Sequence, residues 1–488
     1  MADRTKSYKT LILNTLTFAI GSFGSKLLVI ILVPLYTSAL SPDQFGIVDL
    51  IAQTANILIP IFTLTISEAA LRFGMDAKDD FEKKKVYTVS LTVAFAGLAL
   101  MAVIFPVLSK LSYLKGFSLI LYIYVWTSSL RQINMFFTRA MKKVKLFAVD
   151  GVICTLTMLI FNIVFLLKFK WGIIGYLLAI ILSDLISSLF LFTGGRLWRY
   201  ISLRAIDLSF AKSMVKYSAP LMSATLLSLV TSISDRFVIR YFHGDYMAGI
   251  NAIAYKIPTI LTTVFTMFSQ AWNMSAIAEN NSSERESFYT NVFRINQSFM
   301  YIMSAGILLL IKPITYLWID KDYFESYRYS PILTLATVFT CFCVFLGSVY
   351  IAQKKTKQSF YTSLAAGIIN IILNFALIPK FGIYGAAIAT FAAYFVLFIY
   401  RLIDSRRYIS FDYSKSKIAV NTVLLAAMAV INQFDFLRPW IMYSLLAVIF
   451  IAIAAVNFKD VLRILLFIVP NKLKSKLSFI KKLENKIN

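Results

Sequence analysis

Several ionisable side chains stand inside runs that are otherwise apolar for about 20 residues, the length needed to cross a bilayer, and that placement is chemically demanding. Lys26, Asp184, Asp235, Arg236 and Lys256 each interrupt such a run, Glu68 and Arg72 close one, and Arg131 lies within two turns of the end of another. A charge at the centre of a spanning helix costs about 2.5–3.5 kcal/mol, so each needs a partner or an aqueous chamber. Lys26 sits near the middle of its run. Its ammonium would have to climb roughly 10 Å, at ~1.5 Å per residue, to reach water, so it is expected to face a cavity. Lys256 is read the same way. Arg236 is expected to reach outward, to pair with Asp235, or to line the same cavity. Glu68 and Arg72 are spaced i, i+4, which predicts an intrahelical ion pair, and Arg131 is expected to extend to the headgroups. Asp184 is a candidate relay for a proton or another ion, or simply a neutral acid. Together these groups are suited to attracting an anion and moving an ion.

Covalent and metal chemistry are disfavoured. His243 is the one histidine, so no histidine metal cluster can be built, and no metal or cofactor is expected. Neither a glycine-rich phosphate loop nor a nucleophile elbow appears. The longest outward connection, about 312–329, is too short for a catalytic domain, so the chain is not expected to be an enzyme. Cys154, Cys341 and Cys343 all fall within apolar runs, which excludes a disulfide framework.

The elements that must hold these groups are long apolar helices. Apolar residues make up 59% of the 488, charged residues only 15%, and runs such as 91–108, 361–378 and 441–456 are apolar on every side. The sequence predicts an all-α polytopic membrane protein with fourteen spans, near 11–36, 46–69, 86–108, 117–138, 146–168, 172–193, 217–241, 247–272, 289–311, 330–352, 360–379, 384–403, 418–433 and 439–457. Of the 49 Lys and Arg, thirty-five then fall in connections on the side of the termini and ten on the other. Cytoplasmic loops retain basic residues, so both termini are expected inside, in a bacterial cytoplasmic membrane. The net charge of +25 is explained by those loops and their contact with anionic lipid rather than by nucleic acid. The tail 459–488 alternates Lys with Leu, Ile and Phe and is expected along the membrane surface or frayed.

The chain also repeats itself. Lys170-Trp171-Gly172-Ile173-Ile174-Gly175 returns as Lys380-Phe381-Gly382-Ile383-Tyr384-Gly385, and Gly46 through Leu58 has a weaker echo in Gly249 through Leu261. The two offsets nearly agree, which predicts two six-span lobes, 1–195 and 217–405, joined by a basic linker, 196–216, with two spans appended over 406–458. An even number of spans keeps both copies in one orientation, as in transporters that rock two lobes about a central site.

The motifs in order resemble the bacterial lipid-linked oligosaccharide flippases, the Wzx-like polysaccharide branch of the multidrug/oligosaccharidyl-lipid/polysaccharide exporter superfamily. They are Asn14 with Gly21 through Lys26, Pro34-Leu35-Tyr36-Thr37, Leu40 through Gly46, Ser67-Glu68 through Phe73, Tyr217-Ser218-Ala219-Pro220-Leu221, Asp235-Arg236, Tyr255-Lys256-Ile257-Pro258, Gln270-Ala271-Trp272, and Asn370 and Asn374 followed by Ile378 through Ala387. Coverage runs through about 10–400. The resemblance implies alternating access around a cationic cavity that carries an undecaprenyl-pyrophosphate-linked repeat unit to the outer leaflet, for capsule, exopolysaccharide or O-antigen. It implies Lys26 and Lys256 as phosphate ligands with Arg236 beside them, and Asp184, Asp235, Glu68 and Arg72 as coupling or gating groups. It also implies partners: the lipid-linked substrate, membrane lipids, and a polysaccharide polymerase with other assembly proteins. Peptidoglycan-precursor relatives look richer in cavity arginines, whereas Gln53 occupies the position paired here with Lys256. A cation-coupled drug exporter or a peptidoglycan-precursor flippase are the alternatives.

Overall fold

The computed structural model describes residues 31–278, 284–353, 355–436 and 438–468, and over these the chain is helical without a strand. Every expected span from residue 46 onward is largely helical, those over 46–69 and 247–272 being divided between two helices. The packing divides into two compact units, Gly24–Ala252 and the chain from Ile253. The first holds α1 (Pro42–Thr63), α2 (Ile66–Asp76), α3 (Asp80–Leu108), α4 (Ser118–Ala140), α5 (Val144–Asn162), α6 (Gly172–Gly194) and nearly all of α7 (Leu208–Ala254). The second holds α8 (Lys256–Ala278), α9 (Arg285–Leu309), α10 (Ile311–Trp318), α11 (Ser330–Ala352), α12 (Thr356–Asp404), α13 (Lys415–Ile431) and α14 (Pro439–Ile468).

Local chemistry sets the ends of α1. Ser41 accepts from the Gln44 N–H while its own N–H donates to Gln44 Oε1 at 3.2 Å, and Pro42 supplies the first helical φ. At the other end Leu64 and Thr65 take φ of 51° and 53°, left-handed values that side chains with a Cβ rarely adopt. The span expected over 46–69 is therefore two helices. Ile51, Ala55, Leu58 and Phe62 of α1 pack against Leu98 and Met101 of α3, Leu121 and Val125 of α4, and Leu177 and Ile181 of α6. Between helices in lipid, close packing and polar bonds replace the hydrophobic effect. Tyr87 accordingly donates to Asn134 at 2.7 Å, and Asn134 donates to Ser188 Oγ at 2.9 Å, joining α3, α4 and α6.

The linker 196–216 is docked on the first unit. Thr88 Oγ1 donates to Tyr200 O and accepts from Ser202 N, both at 3.0 Å, and Lys85 pairs with Asp207 at 2.5 Å. In the second unit α11 is central. Trp272 donates to Ser348 at 2.7 Å and stacks on Phe345 at 4.6 Å, while Phe339 meets Phe391, Phe395 and Phe398. The appended α13 and α14 are joined to each other by Asn421 and Asn457 and fastened to α9 by Ser298 on Asp460 and Tyr301 with Thr422. The internal repeat is written in the backbone as well. Gly172 and Gly382, equivalent in the two copies, have φ of 56° and 53°.

Candidate functional site

The crossing of α1 and α7 carries the site. Gly46 and Gly249, aligned with each other in the repeat, meet face to face. A Cβ on Gly249 would sit 1.9 Å from Pro42 O, and one on Gly46 would sit 2.2 Å from Asp245 O. Only residues without a side chain permit this approach. Gly249 follows a break in α7 at Gly244, so the approach brings the start of the span expected over 247–272 onto the span expected over 46–69. Asp49, Gln53 and Asn56 recur at i, i+4 and i+7 along one side of α1.

Arg236 of α7 donates through Nη1 to both Asp49 oxygens, at 2.9 and 3.1 Å. Gln53 Nε2 donates to the same carboxylate at 3.4 Å, and Asn56 donates to Gln53 at 3.4 Å. Arg236 thus turns Nη1 of its guanidinium to Asp49 on a neighbouring helix rather than outward. Asp235 is buried and accepts from the Arg236 N–H at 2.9 Å. One turn along α7, Arg240 bonds Asp245 at 2.5 Å and Ser112 at 3.1 Å and lies over the Tyr113 ring, and Tyr113 shares a hydrogen bond with Thr54 of α1. Sequence reasoning missed Asp49. The available signal was a carboxylate one turn before Gln53 in an apolar helix.

A second buried group joins α4, α5 and α6. Arg131 donates Nε to Ser187 at 2.7 Å and Nη1 to Asp184 at 3.3 Å, with Nη2 3.9 Å from Asp150. Ser128 also donates to Asp184, and Ser187 donates to Asp150 at 2.5 Å. Arg131 therefore turns inward, against the expectation that it extends to the headgroups, because two carboxylates and a serine take its donors. Asp150 was not anticipated. Two acids share one guanidinium, so the fully ionised group carries one excess negative charge. A site of that kind suits a proton or a monovalent cation.

The other candidates are dispersed. The expected Glu68–Arg72 pair is replaced by Arg72 with Asp76 at 3.2 Å, since α2 continues far enough to offer a second acid at i+4. Lys256 opens α8 half-buried in the second unit. Beside it, Tyr255 lies 3.5 Å from Thr390, to which Asn370 donates at 3.4 Å. Lys26 lies outside the described residues. At the helix ends, Asp207 is held well below the usual carboxylate range by its hydrogen bond from Lys85. Lys143 is shifted down by partial burial and by the neighbouring Arg196 and Arg199.

The sequence profile of the family described as polysaccharide biosynthesis protein matches residues 11–273, more than half of the chain, and the MatE profile matches 220–376. Two uncharacterized membrane proteins of Methanocaldococcus jannaschii are similar, one 25% identical over 42% of this chain and 44% of its own, the other 23% identical over 47% and 57%. The chain thus spans about half the length of these curated relatives. Among solved structures, the lipid II flippase MurJ in an inward closed conformation superposes with a TM-score of 0.72 at 16% identity, covering 92% of this chain and 99% of that one. An inward-facing multidrug resistance MATE family transporter of the MOP superfamily gives 0.67 at 14%, covering 82% and 98%. At these identities the likeness is one of fold: an all-α polytopic membrane protein. Joined with the profile match, it makes the chain a member of the polysaccharide biosynthesis protein family, built on the fold of the multidrug/oligosaccharidyl-lipid/polysaccharide exporter superfamily of transporters.

Proposed function

We propose that this protein is a flippase for a lipid-linked oligosaccharide repeat unit, moving its diphosphate-bearing headgroup from the inner to the outer leaflet for surface polysaccharide assembly. The match of residues 11–273 to the polysaccharide biosynthesis family carries this reading. The buried charges support it. An anionic, strongly hydrated headgroup crosses a membrane only where cations and polar groups replace water. Lys256 and Arg236, with Lys26, are the proposed phosphate ligands, and Gln53 lies beside them in role. In this reading the repeats alternate in access, and the Asp49–Arg236 pair is broken and remade during the cycle. Arg131, Asp150 and Asp184 form the proposed coupling site, Asp235 assists it, and Glu68 and Arg72 act at the end of α2. The protein would stand in a bacterial cytoplasmic membrane with both termini inside, handing its cargo to a polymerase.

The MatE match favours a second reading, cation-coupled drug export. A deletion strain separates the two. Loss of surface polysaccharide with lipid-linked single units accumulating on the inner leaflet is the expected result. Intact polysaccharide with altered drug susceptibility would transfer the assignment to export. Arrest of peptidoglycan synthesis with accumulated lipid II would make the cargo the peptidoglycan precursor.

A further inference from the structure

At the end of the first unit where α4 turns into α5, three cations crowd together. Lys143 donates to Gly195 O at 2.6 Å, which fixes its ammonium against the chain that carries Arg196 and Arg199. Among the described residues, Lys142, Lys143, Arg196 and Arg199 form no ion pair, although Lys85 nearby on α3 has found Asp207. The backbone is strained at the same place. Lys142 and Arg196 hold φ of 57° and 53° without being glycine. Residues in such conformations cost of order 1–3 kcal/mol and gather at ligand clamps and switches. Here the two turns and the Lys143–Gly195 hydrogen bond hold like charges adjacent. Partial burial, with the charges of Arg196 and Arg199 added to it, makes Lys143 hold its proton less tightly than an ordinary lysine.

Beyond the cations, the chain presents apolar side chains outward. Trp198 is 46% exposed, Leu203 81% and Leu208 85%, with Ile201 and Ile206 also exposed. Arg199 and Arg204 interleave with them. The segment is nevertheless held in place by Thr88 and by the Lys85–Asp207 pair, with Leu197 and Ala205 buried beneath it. A fixed segment with apolar groups outward and basic groups between them has the chemistry of an interfacial anchor.

We propose that the α4–α5 turn and the chain from Gly195 to Leu208 form a binding site for an anionic phospholipid. Lys143, Arg196 and Arg199 hold its phosphate, and Trp198, Leu203 and Leu208 enter the acyl region beside it. The headgroup supplies the negative charge that the protein omits. It would also relieve the repulsion stored in the two turns, so lipid occupancy stabilises the docked linker between the repeats. The site stands independently of what the protein transports.

The full-length protein in nanodiscs of phosphatidylcholine, with or without a minority of phosphatidylglycerol, tests this. Phosphatidylglycerol should raise the thermal midpoint of the wild type, and native mass spectrometry should show it retained. The combined Lys143→Gln, Arg196→Gln and Arg199→Gln variant should lose most of that gain while keeping its midpoint in phosphatidylcholine alone. Retention should weaken about fivefold per charge removed, the effect of one basic residue near an anionic surface. A control removing equal charge elsewhere, Lys110→Gln, Lys115→Gln and Lys321→Gln, should keep the gain. Brominated lipid should quench the wild type more than Trp198→Phe. An undiminished gain in the triple variant, an equal loss in the control, or the same gain from inorganic phosphate in phosphatidylcholine would each overturn the proposal. Should the triple variant fail to fold, Arg199→Gln alone, on an exposed side chain, must still weaken retention.

Discussion

Asp49 and Arg236 are separated by 187 positions and meet at 2.9 Å. Neither is exposed by more than a small fraction, so the pair is screened little by solvent. Asp49→Asn and Arg236→Gln should each lower the thermal midpoint in detergent. Because each leaves a partner uncompensated, the double variant should recover part of the loss. Double-mutant-cycle coupling is expected on the order of 1–3 kcal/mol, and additive losses would exclude a direct pair. Asp207 gives a pH-dependent contact. Its folded pKa is depressed by Lys85, so the contact stabilises above the ordinary value of 3.8 and is lost as pH falls through the lower folded value. Acid unfolding of the wild type should therefore be steeper below pH ~4 than that of Asp207→Asn, as read by a linker-placed fluorophore. Asp49 and Asp150 escaped notice in the sequence for one reason. Both lie within a few residues of where a span was expected to begin, and a carboxylate near a span end needs no partner. Asp184, deeper in its run, announced itself.

At the scale of elements, apolar run length predicted the helices, since a segment in lipid must satisfy its backbone internally. Breaks were harder to read. Leu64 and Thr65 carry no turn signal, yet their left-handed backbone separates two apolar clusters, α1 packing with Leu98 and Leu121 and α2 with Val86 and Phe137. The Gly46–Gly249 crossing was visible as a repeat but not as a contact. Gly249→Ala should force α1 and α7 apart, because the added methyl meets backbone rather than a movable side chain. Reduced yield of folded protein and a lower midpoint are expected, against little change for Gly151→Ala, where nothing lies within 4 Å. Equal tolerance at both positions would show that the helices do not need this approach.

For the whole molecule, the proposed flippase would use the two expected six-span copies as its rocking elements and the buried cations to attract its cargo. Lys256→Ala should cut transport of lipid-linked repeat units by at least an order of magnitude while the protein still inserts in the membrane, because its loss removes a proposed charge for the cargo. Transport measured in inverted vesicles checks this, and Lys256→Arg should restore part of the rate. A collapse of folded protein in Lys256→Ala would instead make the residue structural.

The amino-acid order alone determined that this chain is helical, that it lies in a membrane, that it is internally duplicated, and which deeply placed charges demand an explanation. Each of these follows from local composition or from self-similarity, which need no partner to be seen. Which carboxylate answers which cation was decided only by tertiary structure: Asp49 for Arg236, Asp184 with Asp150 for Arg131, Asp76 for Arg72. An ion pair is a property of distance in space, and helices brought together by glycine contacts and interhelical polar bonds set that distance without leaving a period in the sequence.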